Sequence, residues 1–134
     1  MTGFVLHPRL QADTAFVADW PLSRVLLMND ARYPWLILVP RRADATELFD
    51  LTAADQQVLT GEVARAARSL KALTTAAKIN LGALGNLVPQ LHVHIVARNP
   101  GDPAWPGPVW GHSPAVPYDA ASRAALIAQF VNAP

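Results

Sequence analysis

Within the nine residues Gln90-Leu91-His92-Val93-His94-Ile95-Val96-Ala97-Arg98, side chains able to do chemistry alternate with apolar ones. In an extended strand alternate side chains share a face, so Gln90, His92 and His94 are expected on one side, with Leu91, Val93 and Ile95 in a core. Such a ridge offers one nucleophilic or basic imidazole, a second imidazole near enough to protonate a leaving group, and a neutral hydrogen-bonding amide. Phosphate chemistry suits that set. A neutral imidazole that attacks phosphorus needs its other ring nitrogen protonated and held by an acceptor, and a strand supplies backbone carbonyls at fixed spacing. Spacing alone leaves two other readings open: two histidines on a wet sheet face, or two ligands of a metal ion. The metal reading needs further ligands, for which the candidates are Asp102, His112, Asp30 and Asp44, none at a diagnostic spacing.

The elements that must position this ridge are legible from hydrophobic pattern. Ser23 to Met28 and Trp35 to Val39 are continuous apolar runs bounded by Asn29-Asp30, Tyr33-Pro34 and Pro40-Arg41-Arg42, which predicts two adjacent buried strands, antiparallel because the link is too short for a crossover helix. From Thr52 the period changes: Leu59, Val63, Ala66, Ala67, Leu70 and Leu73 recur at steps of three and four, the mark of one long amphipathic helix. Thr52 and Asp55 form a weak version of a capping box, and a short helical turn is expected around residues 45–49. Lys78 to Leu81 and Leu91 to Ala97 are two further strands, joined by a glycine-punctuated link over 82–89. Six of the twelve prolines fall between Pro100 and Pro117, which excludes regular helix or a central strand there. Asp119 can cap a last helix carrying Leu126, Ile127, Phe130 and Val131. Residues 4–20 read as edge structure. The order strand, strand, helix, strand, strand makes this an α+β domain with a mostly antiparallel sheet, one long helix on one face, and a site or partner on the other.

A chain of 134 residues is one domain: an edge segment over 1–22, a core over 23–98, and a proline-rich segment with a terminal helix over 99–134. Apolar residues make up 51% and charged ones 16%, which excludes a disordered or highly solvated chain. A net charge of +1 supplies no overall field for a nucleic acid backbone or an anionic membrane, so any anion must be held locally. The absence of cysteine excludes disulfides, thiolate zinc sites and a Cys nucleophile. With no secretory pattern at the start and no clean apolar span, the expected location is cytoplasmic.

At the ridge the sequence resembles the histidine triad (HIT) family of nucleotide hydrolases and transferases, whose signature is His-φ-His-φ-His-φ-φ with φ apolar. Here it reads Gln-Leu-His-Val-His-Ile-Val. The resemblance runs back over residues 25–98: a strand ending in Asn29, a Leu-Ile-Leu-Val-Pro-Arg-Arg run, a long helix, and an Asn80…Asn86 segment before the signature. It implies a HIT-like fold, a homodimer, no required cofactor, and cleavage at the α-phosphate of a nucleoside phosphate ester, anhydride or phosphoramidate. By resemblance His92 is the nucleophile that becomes nucleotidylated. His94 hydrogen-bonds phosphate oxygens and assists the departing group, and Gln90 keeps a backbone carbonyl that can orient the His92 ring. Glutamine cannot donate a proton as an acid, so this departure bears on leaving-group range and rate. A non-catalytic nucleotide-binding module and a metal-dependent enzyme using His92 and His94 as ligands are the alternatives.

Asn29 matches the family position that binds ribose hydroxyls, and Asn80 and Asn86 match polar positions near the phosphates. Each also fits a plain turn residue. Arg98 is placed to meet a phosphate or to end the strand in solvent. Trp105 and Trp110 can stack on a base, seal a dimer, or belong to a coat packed on its own core. At Trp35 many family members have a histidine, and no role is transferred to it. Arg41-Arg42 reads as a solvated strand end.

Overall fold

The computed structural model describes residues 3–133. Among these residues the apolar runs build one antiparallel sheet of five strands: β1 (Thr14–Asp19), β2 (Ser23–Met28), β3 (Trp35–Pro40), β4 (Lys78–Gly82) and β5 (Val93–Arg98). Their spatial order is β1-β2-β3-β5-β4, so β5, which carries the signature, lies between β3 and β4. Three helices accompany the sheet: α1 (Pro8–Asp13), α2 (Ala53–Thr74) and α3 (Ala120–Val131).

The pleat divides the sheet's residues between two layers. Val25, Leu27, Leu36, Leu38, Ile95 and Ala97 meet Ala66 and Leu70 of α2 and Phe130 of α3 in the larger core. Leu26, Trp35, Ile37, Val39 and Val96 face the other way, where Leu10 of α1 and Ala104 and Val109 of the proline-rich segment cover them. That second layer is the site face. The proline-rich segment is therefore a packed cover, which it can be because prolines forgo the backbone N–H groups that burial would otherwise leave to be satisfied.

Buried polar groups lock the layers together. Glu62, on α2 and 6% exposed, accepts hydrogen bonds from the backbone N–H groups of Leu22 and Ser23 at 3.0 and 2.9 Å, fixing the start of β2 to the helix. Thr52 caps α2 by accepting from the Asp55 N–H, while the Asp55 carboxylate does not close the expected box but binds the Arg42 guanidinium at 2.7 and 3.1 Å. Asp119 caps α3 through Ser122 as expected.

Three sequence expectations shift. Residues 4–20 contain edge strand β1, but also helix α1, whose Pro8 opens the helix rather than breaking one. The turn expected around 45–49 is a 3₁₀ turn at Leu48–Asp50. The signature strand begins at Val93 rather than Leu91, because the Leu91 N–H is spent on the Ala45 carbonyl, outside the sheet. No helix among the described residues is long and apolar enough to cross a membrane.

Candidate active site

His94 sits in β5 opposite Ile37 of β3 and Gly82 of β4, and His92 lies just before the strand. Their rings are 4.8 Å apart, centroid to centroid, at 66°. Both line a cleft of about 530 Å³ on the site face. His92 and Asn86 also border a second hollow of about 470 Å³, walled by Thr46, Glu47, Leu48, Leu84 and Gln90. His92 thus stands between two spaces, each large enough for part of a ligand.

The two imidazoles are held in defined and different tautomers. The ring nitrogen Nδ1 of His92 is 2.6 Å from the backbone carbonyl oxygen of Gln90. A carbonyl only accepts, so Nδ1 carries the proton and the lone pair is on Nε2. For His94 the arrangement is reversed: the indole Nε1–H of Trp35 donates to Nδ1 at 3.0 Å, within the buried layer. Indole only donates, so His94 Nδ1 is the acceptor and the proton of the neutral ring is on Nε2. Neither Nε2 atom has a hydrogen-bond partner among the described residues. Neither is sealed off as well, as are the orphaned Ser23 Oγ, Tyr33 Oη, Arg41 Nη1 and Trp110 Nε1. One ring therefore presents a lone pair to the cleft and the other an N–H.

Burial, and secondarily the neighbouring His92, pushes the His94 pKa down to about 3. Trp35 and Trp110 pack their rings on it at 5.7 and 5.5 Å, which removes the water a charged imidazolium would need. Burial and the Trp35 hydrogen bond thus favour a neutral His94 that donates through Nε2.

Trp110 reaches this position because β4 has glycine at 82. A Cβ there would lie 2.9 Å from Trp110 Cη2. The rest of the cleft is Leu10, Met28, Ile37 and Val88 on the apolar side, with Arg9, Asp13, Asp30, Asn86 and Ser113 at the rim and far wall. Arg9 and Asp13 pair at 3.6 Å along α1. Asp30, 2% exposed, accepts from the Arg32 side chain at 3.0 and 2.9 Å and from its backbone N–H. Despite the cost of its burial, those hydrogen bonds hold the Asp30 carboxyl below its usual range.

Of the residues singled out in the sequence, the structure brings His92, His94, Asn86, Trp110 and Asp30 to the cleft. It does not bring the others. Gln90 does not share the ridge: its Oε1 accepts from the His7 N–H at 2.8 Å and its Nε2 donates to the Val5 carbonyl at 2.9 Å, while only its own carbonyl serves His92. Arg98 is a clear correction. It is 1% exposed, and its guanidinium binds Asp102 twice, the Asn80 amide oxygen and the Gly107 carbonyl, leaving it in the second layer with no path to a phosphate. Asn80 is consumed by that contact. The amide oxygen of Asn29 accepts from the Tyr118 N–H and anchors the chain before α3. Trp105 covers Arg98 rather than the cleft, its ring centroid 5.8 Å from the guanidinium carbon.

Sequence reasoning gave no role to Trp35 or to the α1 pair Arg9 and Asp13, and considered Asp30 only as a metal ligand. Trp35 could be found only once β3 and β5 are paired with Trp35 opposite Val96, which sets the indole diagonally across from His94. Among the described residues no three His, Asp or Glu side chains converge as a metal set would.

An antiparallel α+β layer with one histidine in its signature strand and one just before it, the latter oriented by the backbone carbonyl two residues earlier, defines a histidine triad domain. Residues 9–101 match the family model for the HIT domain, and the chain belongs to the HIT family, in which many members are nucleotide hydrolases or transferases and some are not catalytic. Among solved structures it is similar to a histidine triad protein from Sinorhizobium meliloti 1021, with 50% identity and a TM-score of 0.94 over 96% of this chain and 95% of that one. A histidine triad protein from Bradyrhizobium japonicum is 51% identical, TM-score 0.93, over 95% of each chain. One from Marinobacter aquaeolei VT8 is 47% identical, TM-score 0.92, over 94% of this chain and 92% of that one. No curated protein matches the chain.

Proposed function

We propose that the protein cleaves or transfers a nucleoside monophosphate group, with His92 Nε2 attacking the α-phosphorus. The observation that carries this reading is the 2.6 Å contact between His92 Nδ1 and the Gln90 carbonyl, which puts the lone pair on the nitrogen free to attack. The apolar wall of Leu10, Met28, Ile37 and Val88 suits a flat base.

In the reaction the Nε2 lone pair forms a bond to phosphorus while the bond from phosphorus to the leaving group breaks, and the leaving group takes that electron pair. The resulting imidazolium keeps its Nδ1 proton on the Gln90 carbonyl, which disperses its charge. Water then attacks phosphorus, its proton passes to solvent, and His92 leaves as neutral imidazole. The His94 N–H and the Asn86 amide, both lining the cleft, serve in this reading as neutral donors to the phosphate oxygens. This sequence calls for no cofactor. A homodimer belongs to the same proposal, supported by edge strand β4 and the exposed Leu81, Leu84 and Leu87 on it and just after it, and light scattering measures it directly.

The test is intact-mass spectrometry of protein mixed with an activated adenylate. A mass increase of one adenylyl group, mapped to His92 and absent from His92→Ala, is the expected result. Tight nucleotide binding with no adduct and no turnover would instead make the protein a binding module.

A further inference from the structure

The first position of the signature holds glutamine, and the structure gives that side chain a task of its own. Its Oε1 accepts from the His7 N–H at 2.8 Å and its Nε2 donates to the Val5 carbonyl at 2.9 Å. In an extended segment the carbonyl of one residue and the N–H two residues on point the same way, so the amide imitates one residue of a parallel neighbouring strand. It does so at every pH. An amide always has both a donor and an acceptor, whereas an imidazole that takes up a proton loses its acceptor and a carboxylate has no donor.

The segment gripped in this way leads directly into α1, which walls the cleft through Arg9, Leu10 and Asp13. Little else fastens it. Phe4 and Leu6 pack, only partly buried, on the site-face layer, and Leu10 is the one buried residue of α1. Outside the segment itself, residues 4–12 hydrogen-bond only to the adjoining Thr14 and to Gln90 among the described residues. On the side of α1 away from the cleft, Leu6 and Gln11 border a separate hollow of about 280 Å³ with Thr14, Phe16, Arg24 and Leu26. The wall thus has space on both sides, and a helix of six residues has no stability apart from what holds it in place.

Resting on the reading of the cleft as a nucleotide site, we infer that the Gln90 side chain is a positioning residue: it latches residues 5–7 and so holds α1 closed against a bound nucleotide. Its backbone carbonyl orients the His92 ring, so one residue sets both the wall and the nucleophile. With the latch lost, α1 swings towards the hollow behind it, and affinity falls in proportion to the fraction of molecules whose wall is in place. Attack by His92 on a nucleotide already bound is unaffected.

The experiment uses Gln90→Met, which keeps the side chain's length and removes both bonds. Thr52→Ala is the control, destabilised at the α2 cap and remote from the cleft. AMP binding is measured by calorimetry well below the melting range. For Gln90→Met the Kd is expected to rise about five- to thirtyfold, the shift that two such bonds can produce, while adduct formation at saturating nucleotide stays within about tenfold of wild type. The Kd of Thr52→Ala is expected to be unaltered. Amide hydrogen exchange read by NMR is expected to quicken at least about tenfold over residues 9–13 of Gln90→Met, to be unchanged over residues 93–98, and to slow again when AMP saturates the variant. An unaltered Kd, a loss of affinity shared by Thr52→Ala, or equal exchange over residues 9–13 would overturn the latch and leave His92 standing as nucleophile. Wild-type protein that binds no AMP and forms no adduct would overturn both.

Discussion

Gln90 brackets His7: its amide accepts from the His7 N–H and donates to the Val5 carbonyl, while its own carbonyl orients His92. One residue thus performs two separable tasks. The side chain holds the segment before α1 against the site face, and the backbone sets the nucleophile.

Gln90→Ala should therefore reduce stability without removing the nucleophile. Loss of one part-buried and one exposed hydrogen bond is worth about 1–2 kcal/mol, read as a lower denaturation midpoint at unchanged slope. Adduct formation at His92 should survive within about tenfold, because the backbone carbonyl is unaltered. An adduct rate reduced as strongly as in His92→Ala would mean that the Gln90 side chain takes part in the reaction.

The depressed His94 pKa makes stability depend on acid in a defined window. Above about pH 6.5, the ordinary value, the ring is neutral whether folded or unfolded and its contribution is fully present. As pH falls from there towards about 3, the unfolded chain takes up a proton that the folded site refuses, and each pH unit costs about 1.4 kcal/mol. Denaturation between pH 6.5 and 4.5 should show a shallower loss for His94→Gln than for the wild type, above the range in which the carboxylates titrate. Parallel curves would show that His94 is not held neutral.

Arg98→Met should be among the most destabilising changes on the site face. It leaves Asp102 without the guanidinium that holds its carboxyl below the usual range, and it frees the Gly107 carbonyl that pins the proline-rich cover. A loss of about 3 kcal/mol or more is expected. The chemistry should be spared where the protein remains folded: at low temperature, adduct formation should stay within a fewfold of wild type. A loss of adduct with the stability unaltered would restore the phosphate role first considered for this arginine.

Gly82→Ala places a methyl group against Trp110, which packs on His94. The indole must move by a few tenths of an ångström. Overpacking of this kind costs about 1–3 kcal/mol, and kcat/KM should fall severalfold with it. Gly61→Ala is the control, since a Cβ there meets nothing within 4 Å. Equal behaviour of the two variants would show that Trp110 does not support the site.

Much of the fold was legible because it rests on local periodicity. The apolar runs at 23–28 and 35–39, the three- and four-residue steps after Thr52, and the caps at Thr52 and Asp119 all appear at their expected places. Helix α1 was not legible, because six residues are too few to show a helical period and Pro8 has opposite meanings at a helix start and in its interior. The alternation of the signature placed His92 and His94 in a shared cleft, and the resemblance to the family assigned the Gln90 carbonyl its role towards the ring.

Which neighbours complete the site was decided by tertiary structure alone. Asn29, Asn80 and Arg98 have the right chemistry for a ligand, but their hydrogen bonds are taken by Tyr118, Asp102, Gly107 and one another. Trp35, to which sequence assigned nothing, reaches His94 through strand pairing and so fixes where its proton sits. A residue's type and spacing state what bonds it can form. Which of those bonds it has left for a substrate depends on partners brought from distant parts of the chain, and these are known only once the strands are in register and the cover is packed.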